Sequence, residues 1–164
     1  AKQLGLPPPT SIQNDFSLTD RRFETELAET CAPWHCNVGL MVYGALAGGT
    51  LSGKYRGGAA VEGARHTKYP KFQPRYHKPI VQEAVEEYAK IAEKYGLTPA
   101  TLAQAWCKSR PYVTSTIIGA TSLNQLKENI EAFHLELGEE VLKDIDRVHE
   151  RLRNPQVSDP YGVV

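Results

Sequence analysis

Residues able to do chemistry gather in a few stretches of the chain. In Ser115-Thr116-Ile117-Ile118-Gly119-Ala120-Thr121-Ser122-Leu123-Asn124-Gln125, strand-forming isoleucines run into a turn of small residues and then into a helix. Gly119 and Ala120 allow the backbone to approach a ligand closely. Ser122 and Gln125 have the spacing of a capping box, which points helix N–H groups toward the turn. Such an N-terminus favours an anion, phosphate in particular, through its unpaired N–H groups and its dipole. The same pattern also describes an ordinary capped strand-to-helix connection, and it does not choose between the two.

A second stretch, Gly44-Ala45-Leu46-Ala47-Gly48-Gly49-Thr50-Leu51-Ser52-Gly53-Lys54-Tyr55, is a glycine-rich loop closing on a lysine. Its glycine spacing is wrong for a Walker loop, and no Ser or Thr follows the lysine. From Arg65 to Lys78 come five Lys or Arg and two His with no acid. That stretch reads either as a solvated basic loop or as a receiver for an anionic ligand. Cys31-Ala32-Pro33-Trp34-His35-Cys36 holds three possible metal ligands, but the spacing, the proline and the lack of a second ligand pair argue for free thiols and no metal. The five histidines are scattered and read as surface or helix residues.

The elements that must position these residues alternate. Ser11–Phe16 reads as a strand and Arg21–Cys31 as a helix, with Phe23, Leu27 and Cys31 at helical spacing. Asn37–Tyr43 is a nearly unbroken apolar run, a strand expected to be covered on both faces. Pro79 opens a helix with an apolar stripe of Val81, Ala84, Val85, Tyr88, Ile91, Ala92 and Tyr95. A Glu86–Lys90 pair is expected on its wet face, and Gly96 closes it. Thr98-Pro99 starts a helix that is apolar nearly all round. A buried strand is expected at 115–118. A helix follows with Leu123, Leu126, Ile130 and Phe133 inward, then a last one with Val141, Ile145, Val148 and Leu152 inward. Residues 1–153 form one unit, and 154–164 read as a loose tail.

The 164 residues carry 19 basic and 19 acidic side chains, so no global field exists to hold nucleic acid. No apolar run of about 20 residues could span a bilayer. Three cysteines suit a reducing compartment better than a disulfide scaffold. A soluble intracellular protein of cytoplasm or plastid is the expectation. The start at Ala1, with no methionine or leader, suggests that upstream sequence is missing. Three parallel strands with helices outside leave open sheet edges and cannot close a (β/α)8 barrel, which needs eight strands and about 250 residues. Either the chain continues elsewhere or a partner chain supplies the remainder.

Tyr43 to Tyr55 resembles the seventh-strand loop of the aldo-keto reductases, and Thr116 to Ser122 with Gln125, Leu126, Glu128, Asn129 and Ile130 resembles their eighth-strand cofactor motif. The Tas-like reductases and the potassium-channel β-subunits look like the nearest branch. The resemblance runs from about Ser11 to His149. It implies an α/β fold that is the C-terminal part, strands six to eight, of a TIM barrel, incomplete as given. It implies NADP as cofactor and a small-molecule carbonyl as substrate of the complete protein. Gln13, at the end of strand six, would hydrogen-bond the nicotinamide carboxamide, and Tyr43 would stack on its ring. The backbone of Gly44, Ala45, Leu46 and Ala47 would line the pyrophosphate, with Lys54 and Arg65 as cationic contacts. Gly119, Thr121, Ser122 and Gln125 would hold the 2′-phosphate, while Glu128 and Asn129 would reach the adenine.

Two departures matter. Most relatives have Ser-Pro where this chain has Gly44-Ala45, which removes a hydroxyl and loosens the loop. The family's catalytic Tyr, Lys, Asp and His lie in the N-terminal half of the barrel, and this chain has no counterpart. The resemblance therefore implies either the cofactor-binding portion of a reductase, or a non-catalytic structural or regulatory subunit of a larger assembly.

Overall fold

The computed structural model describes residues 1–157. Three strands, β1 (Ser11–Asp15), β2 (Gly39–Tyr43) and β3 (Val113–Thr116), pair in parallel in that order. Parallel neighbours need long crossovers. The first carries α1 (Arg22–Glu26) and α2 (Ala28–Cys31). The second carries a glycine-rich loop, α3 (Arg65–Lys68), α4 (Pro79–Lys94) and α5 (Pro99–Lys108). After β3 come α6 (Leu123–His134) and α7 (Glu139–Arg151).

The core lies on one side of the sheet. Leu40 and Val42 are fully buried and join Leu102, Trp106, Tyr88 and the apolar stripe of α4. Phe16 stacks on Trp106 with ring centroids 5.1 Å apart. Helix α5 is buried from Ala100 to Cys107 apart from Thr101, as its apolar composition predicts. Thr98 caps it by accepting the Thr101 N–H at 3.0 Å. In α7, Val141, Ile145, Val148 and Leu152 are buried as expected.

Several expectations fail for one reason: a covering layer is absent from the described residues. The alternate residues of β1 and β2, Ser11, Gln13 and Tyr43, are exposed, and Gly39 and Met41 are half-covered. The sheet thus has one bare face, against the expectation of two covered ones. The strand expected at 115–118 sits two residues earlier and is not buried. Ile117 still donates its N–H to Val42 O at 2.7 Å, yet Ile117 and Ile118 are exposed. Of the expected inner stripe of α6, Leu123, Leu126 and Ile130 face outward, Leu123 84% exposed, while Phe133 is half-buried. Only Asn129 and Ala132 of that helix are buried.

Other corrections are local. The helix expected from Arg21 to Cys31 breaks at Leu27, whose φ of −122° ends α1 and starts α2. Lys90 pairs with Glu87 rather than Glu86, because Glu86 is held by Arg56. The tail expected to be loose from 154 is docked through Val157. Arg21 N–H donates to Asn154 Oδ1 at 2.7 Å, and the buried Gln156 amide reaches the Ser17 and Thr19 hydroxyls. Those hydroxyls are themselves buried and need partners. Residues 158–164 of that tail lie outside the described residues.

Candidate functional site

Beyond the carboxyl ends of β2 and β3 the chain opens into a cleft of about 640 Å³. Its floor is the turn after β2. Gly44 takes φ +75°, and Ala47 N–H closes the turn on Gly44 O at 2.6 Å. One wall is the exposed run Ile117–Thr121 leading to the N-terminus of α6. Another is the loop segment Gly63–Tyr69, which includes α3, and the back is Ala100 and Gln104 of α5.

Ten of the residues singled out in the sequence line this cleft: Gly44, Ala45, Leu46, Lys54, Arg65, Gly119, Thr121, Gln125, Glu128 and Asn129. The other four do not. Ser122 stands behind the wall as the N-cap of α6, accepting the Gln125 N–H at 3.3 Å. Ala47 is fully buried beneath the turn. Gln13 is the third of five residues in β1 rather than its last, paired in register with Met41, and it is exposed on the bare sheet face. Tyr43 ends β2 on that same face, 37% exposed.

The capping box is displaced by one residue. Gln125 Oε1 accepts from the Thr121 N–H at 2.8 Å and lies 3.1 Å from the Thr121 hydroxyl. The Gln125 side chain thus braces the turn. Glu128, the one acid lining the cleft, accepts from the Thr98 hydroxyl at 2.5 Å.

Lys54, Arg65 and Lys68 all line the cleft, and among the described residues none has a carboxylate within ion-pair distance. Lys54 lies over the Tyr55 ring at 5.2 Å and Arg65 over Phe72 at 5.1 Å. Charges left without a counter-ion at a concave surface attract an anion. Beneath them His66, stacked on Tyr55 at 4.4 Å, is pushed down to about 4 by burial, with His77, Lys54 and Arg65 adding to the effect.

Sequence reading missed several lining residues. Lys68 and Tyr69 lay within the basic stretch, where nothing local distinguished them from their neighbours. Gln104 had a signal: it is one of few polar residues inside an otherwise apolar helix. It is fully buried and donates its amide N–H to Asn129 Oδ1, while its own Oε1 has no partner among the described residues. At the opposite end of the turn, the buried Asp15 carboxylate lies 2.7 Å from Arg75.

The description of the Aldo/keto reductase family matches residues 1–150. The chain belongs to the aldo/keto reductase family. Among curated relatives, Protein tas of Escherichia coli K12 is 46% identical over 150 residues, covering 92% of this chain and 42% of that protein. An Aldo-keto reductase of Babesia bovis is 34% identical, covering 94% and 56%. A putative voltage-gated potassium channel subunit beta of Schizosaccharomyces pombe is also 34% identical, covering 90% and 44%. The solved glycerol dehydrogenase of Gluconobacter oxydans superposes with a TM-score of 0.69 at 25% identity, over 90% of this chain and 44% of that one. The chain thus spans about half the length of the curated relatives it matches, and its three-stranded sheet is part of a (β/α)8 barrel rather than a whole one.

Proposed function

We propose that this chain is the cofactor-binding C-terminal portion, strands six to eight, of an NADP-dependent aldo-keto reductase that reduces small aldehydes or ketones. One observation carries the reading: three cations without counter-ions among the described residues line one cleft that also receives the N-terminal turn of α6. The site fits a phosphorylated dinucleotide. Its volume lies within the roughly 300–1,000 Å³ of small-molecule and cofactor sites. Arg65, Lys54 and Lys68 would neutralise phosphates, arginine with the option of a bidentate contact. The Gly44–Leu46 backbone would lie along the pyrophosphate, and Gly119, Thr121 and the α6 N-terminus would face the 2′-phosphate. Asn129, backed by Gln104, and Glu128 offer polar groups for an adenine edge, where the unpartnered Gln104 Oε1 calls for a donor.

Gln13 and Tyr43 lie outside this cleft on the bare sheet face. There they are free to meet the nicotinamide end, one through its amide and the other through its ring. When bound, the nicotinamide supplies a hydride to the carbonyl carbon. Proton donation to the oxygen belongs to residues outside this chain. The bare face and the outward stripe of α6 are the surfaces that the N-terminal half of the barrel, or a partner chain, would cover. Burying Leu123, Leu126 and Ile130 of α6, which are exposed here, would favour that association.

A second reading, a non-catalytic subunit, is supported by the similarity to proteins named as putative or probable voltage-gated potassium channel β-subunits. NADPH oxidation by the intact polypeptide, followed by the loss of reduced-nicotinamide absorbance with a panel of aldehydes and ketones, separates the two. Turnover with any of them supports the reductase. Tight NADPH binding without turnover supports the subunit, and absence of NADPH binding contradicts both.

A further inference from the structure

The segment that carries Arg65 and Lys68 has no long element to hold it over the cleft. Between Gly53 and Lys78 the chain forms short 3-10 turns and the four-residue α3. It is fastened at its far end. Asp15 closes β1 with a side chain only 2% exposed, and its carboxylate lies 2.7 Å from the Arg75 guanidinium. Arg75 also donates to Tyr76 Oη at 3.0 Å. The buried Tyr76 packs on Gly48, where an added Cβ would fall 2.9 Å from the Tyr76 ring and 3.1 Å from Phe72. Phe72 in turn carries the Arg65 guanidinium over its ring. A continuous line of contacts therefore runs from the end of β1 to the cleft arginine.

Asp15 also explains the glycine at position 44. A Cβ there would lie 2.5 Å from Asp15 Oδ1. The carboxylate fills the volume that a side chain at position 44 would take.

We propose that the Asp15–Arg75 ion pair is a latch that holds the Arg65–Lys68 segment over the cleft, making both members positioning residues for the cofactor's phosphates. The proposal rests on the cleft being the dinucleotide site. Neither Asp15 oxygen nor Arg75 Nε has a well-aligned hydrogen bond among the described residues, so charge rather than geometry holds the contact. Burial pushes the Asp15 carboxyl up to about 6 against the opposing pull of Arg75. The other charged or titratable groups facing it are Asp20 and Arg22, which pair with each other, the phenols of Tyr43 and Tyr76, and the buried Cys107 thiol. Protonation of Asp15 would remove the charge that Arg75 answers, and the latch would loosen as pH falls through about 6.

The test uses the intact protein and its Asp15→Asn, Arg75→Gln and Arg75→Lys variants. Two quantities are read: amide hydrogen exchange of residues 56–78 without cofactor, and the NADPH dissociation constant from pH 7 down through the range where Asp15 titrates. Loss of a pre-organised contact is expected to weaken NADPH about tenfold in Asp15→Asn and Arg75→Gln, with faster exchange in the loop. Arg75→Lys should keep most of the affinity. Protonation of the 2′-phosphate weakens binding on acidification in every variant, so wild-type affinity should fall more steeply than that of Asp15→Asn. Unchanged loop exchange and unchanged affinity in both charge-removing variants would overturn the latch. If the wild type binds no NADPH, the cofactor reading fails, and the exchange data alone decide the latch: faster exchange in the variants supports it and wild-type exchange overturns it.

Discussion

Arg56 and Arg65 belong to the same loop, and their surroundings differ in kind. Arg56 is claimed by two acids of α4, with Nη2 2.6 Å from Glu86 and Nη1 2.6 Å from Glu93. Those contacts push its already high pKa further up. Arg65 has no acid within ion-pair distance among the described residues and faces the cleft beside Lys54 and Lys68. The fold has a carboxylate-bearing helix within reach of the loop and pairs one arginine with it. A cation left without a partner beside two others is therefore a better guide to a ligand than basic composition, which is shared across the stretch.

The largest effect that could break this contrast is expected at Arg65. Arg65→Ala should weaken NADPH by roughly 10- to 100-fold, the worth of a charge-assisted hydrogen bond, with little change in thermal midpoint. Calorimetric titration beside a melting curve checks both halves.

A next test uses His66, which senses the same cations. It is held neutral, pushed down to about 4 by burial, and His149 is likewise pushed down to about 4 by burial. A depressed value means that the folded state binds fewer protons than the unfolded one. The stability each contributes is complete above about 6.5 and is lost as pH falls toward 4, a loss of about 1 kcal/mol or more per histidine. Asp15 acts in the opposite sense. Its value is raised from 3.8 to about 6, so its contribution to folding as a whole is complete below 3.8 and is lost as pH rises through 6, whereas the local contact with Arg75 needs the ionised carboxylate. Urea midpoints across this range should show a histidine-driven loss on acidification that His149→Gln reduces. A nuclear magnetic resonance titration should show the His66 value rising when NADPH neutralises Lys54 and Arg65. No movement on binding would place the phosphates elsewhere.

Ser122→Ala removes the α6 cap and should cost about 1 kcal/mol of stability, together with a loss of NADPH affinity if the helix N-terminus faces the ligand. Arg56→Ala should do the reverse of Arg65→Ala, lowering stability by about 0.5–1 kcal/mol for a partly exposed pair and leaving NADPH affinity intact. The smallest effect is expected for Lys68→Ala, about two- to fivefold in affinity, because a lysine ammonium meets phosphate as a point charge where the Arg65 guanidinium can make a bidentate contact.

What the sequence revealed follows what local physics decides. The start of α5 was legible because Thr98 and Pro99 are a cap and a first-turn proline, whatever surrounds them. The stripe of α7 was legible for similar reasons. The stripe of α6 has equally clear helical spacing, yet Leu123, Leu126 and Ile130 face outward, because periodicity names a face and not what lies against it. The loops after β2 and β3 were assigned to one cofactor only by the resemblance, since the motifs lie far apart in the chain. Neither motif could reveal Gln104, Lys68 or the Asp15–Arg75 pair. Those depend on contacts across 25 and 60 positions of sequence, where no local rule applies.

The central claim is that the cleft grips phosphate, and its most direct test is a paired titration of the intact protein with NADPH and NADH at low and high salt. The account predicts that NADPH binds more tightly, that its affinity falls more steeply with salt, and that Arg65→Ala removes most of the difference. Equal affinities with equal salt dependence, or a preference untouched by Arg65→Ala, would contradict it.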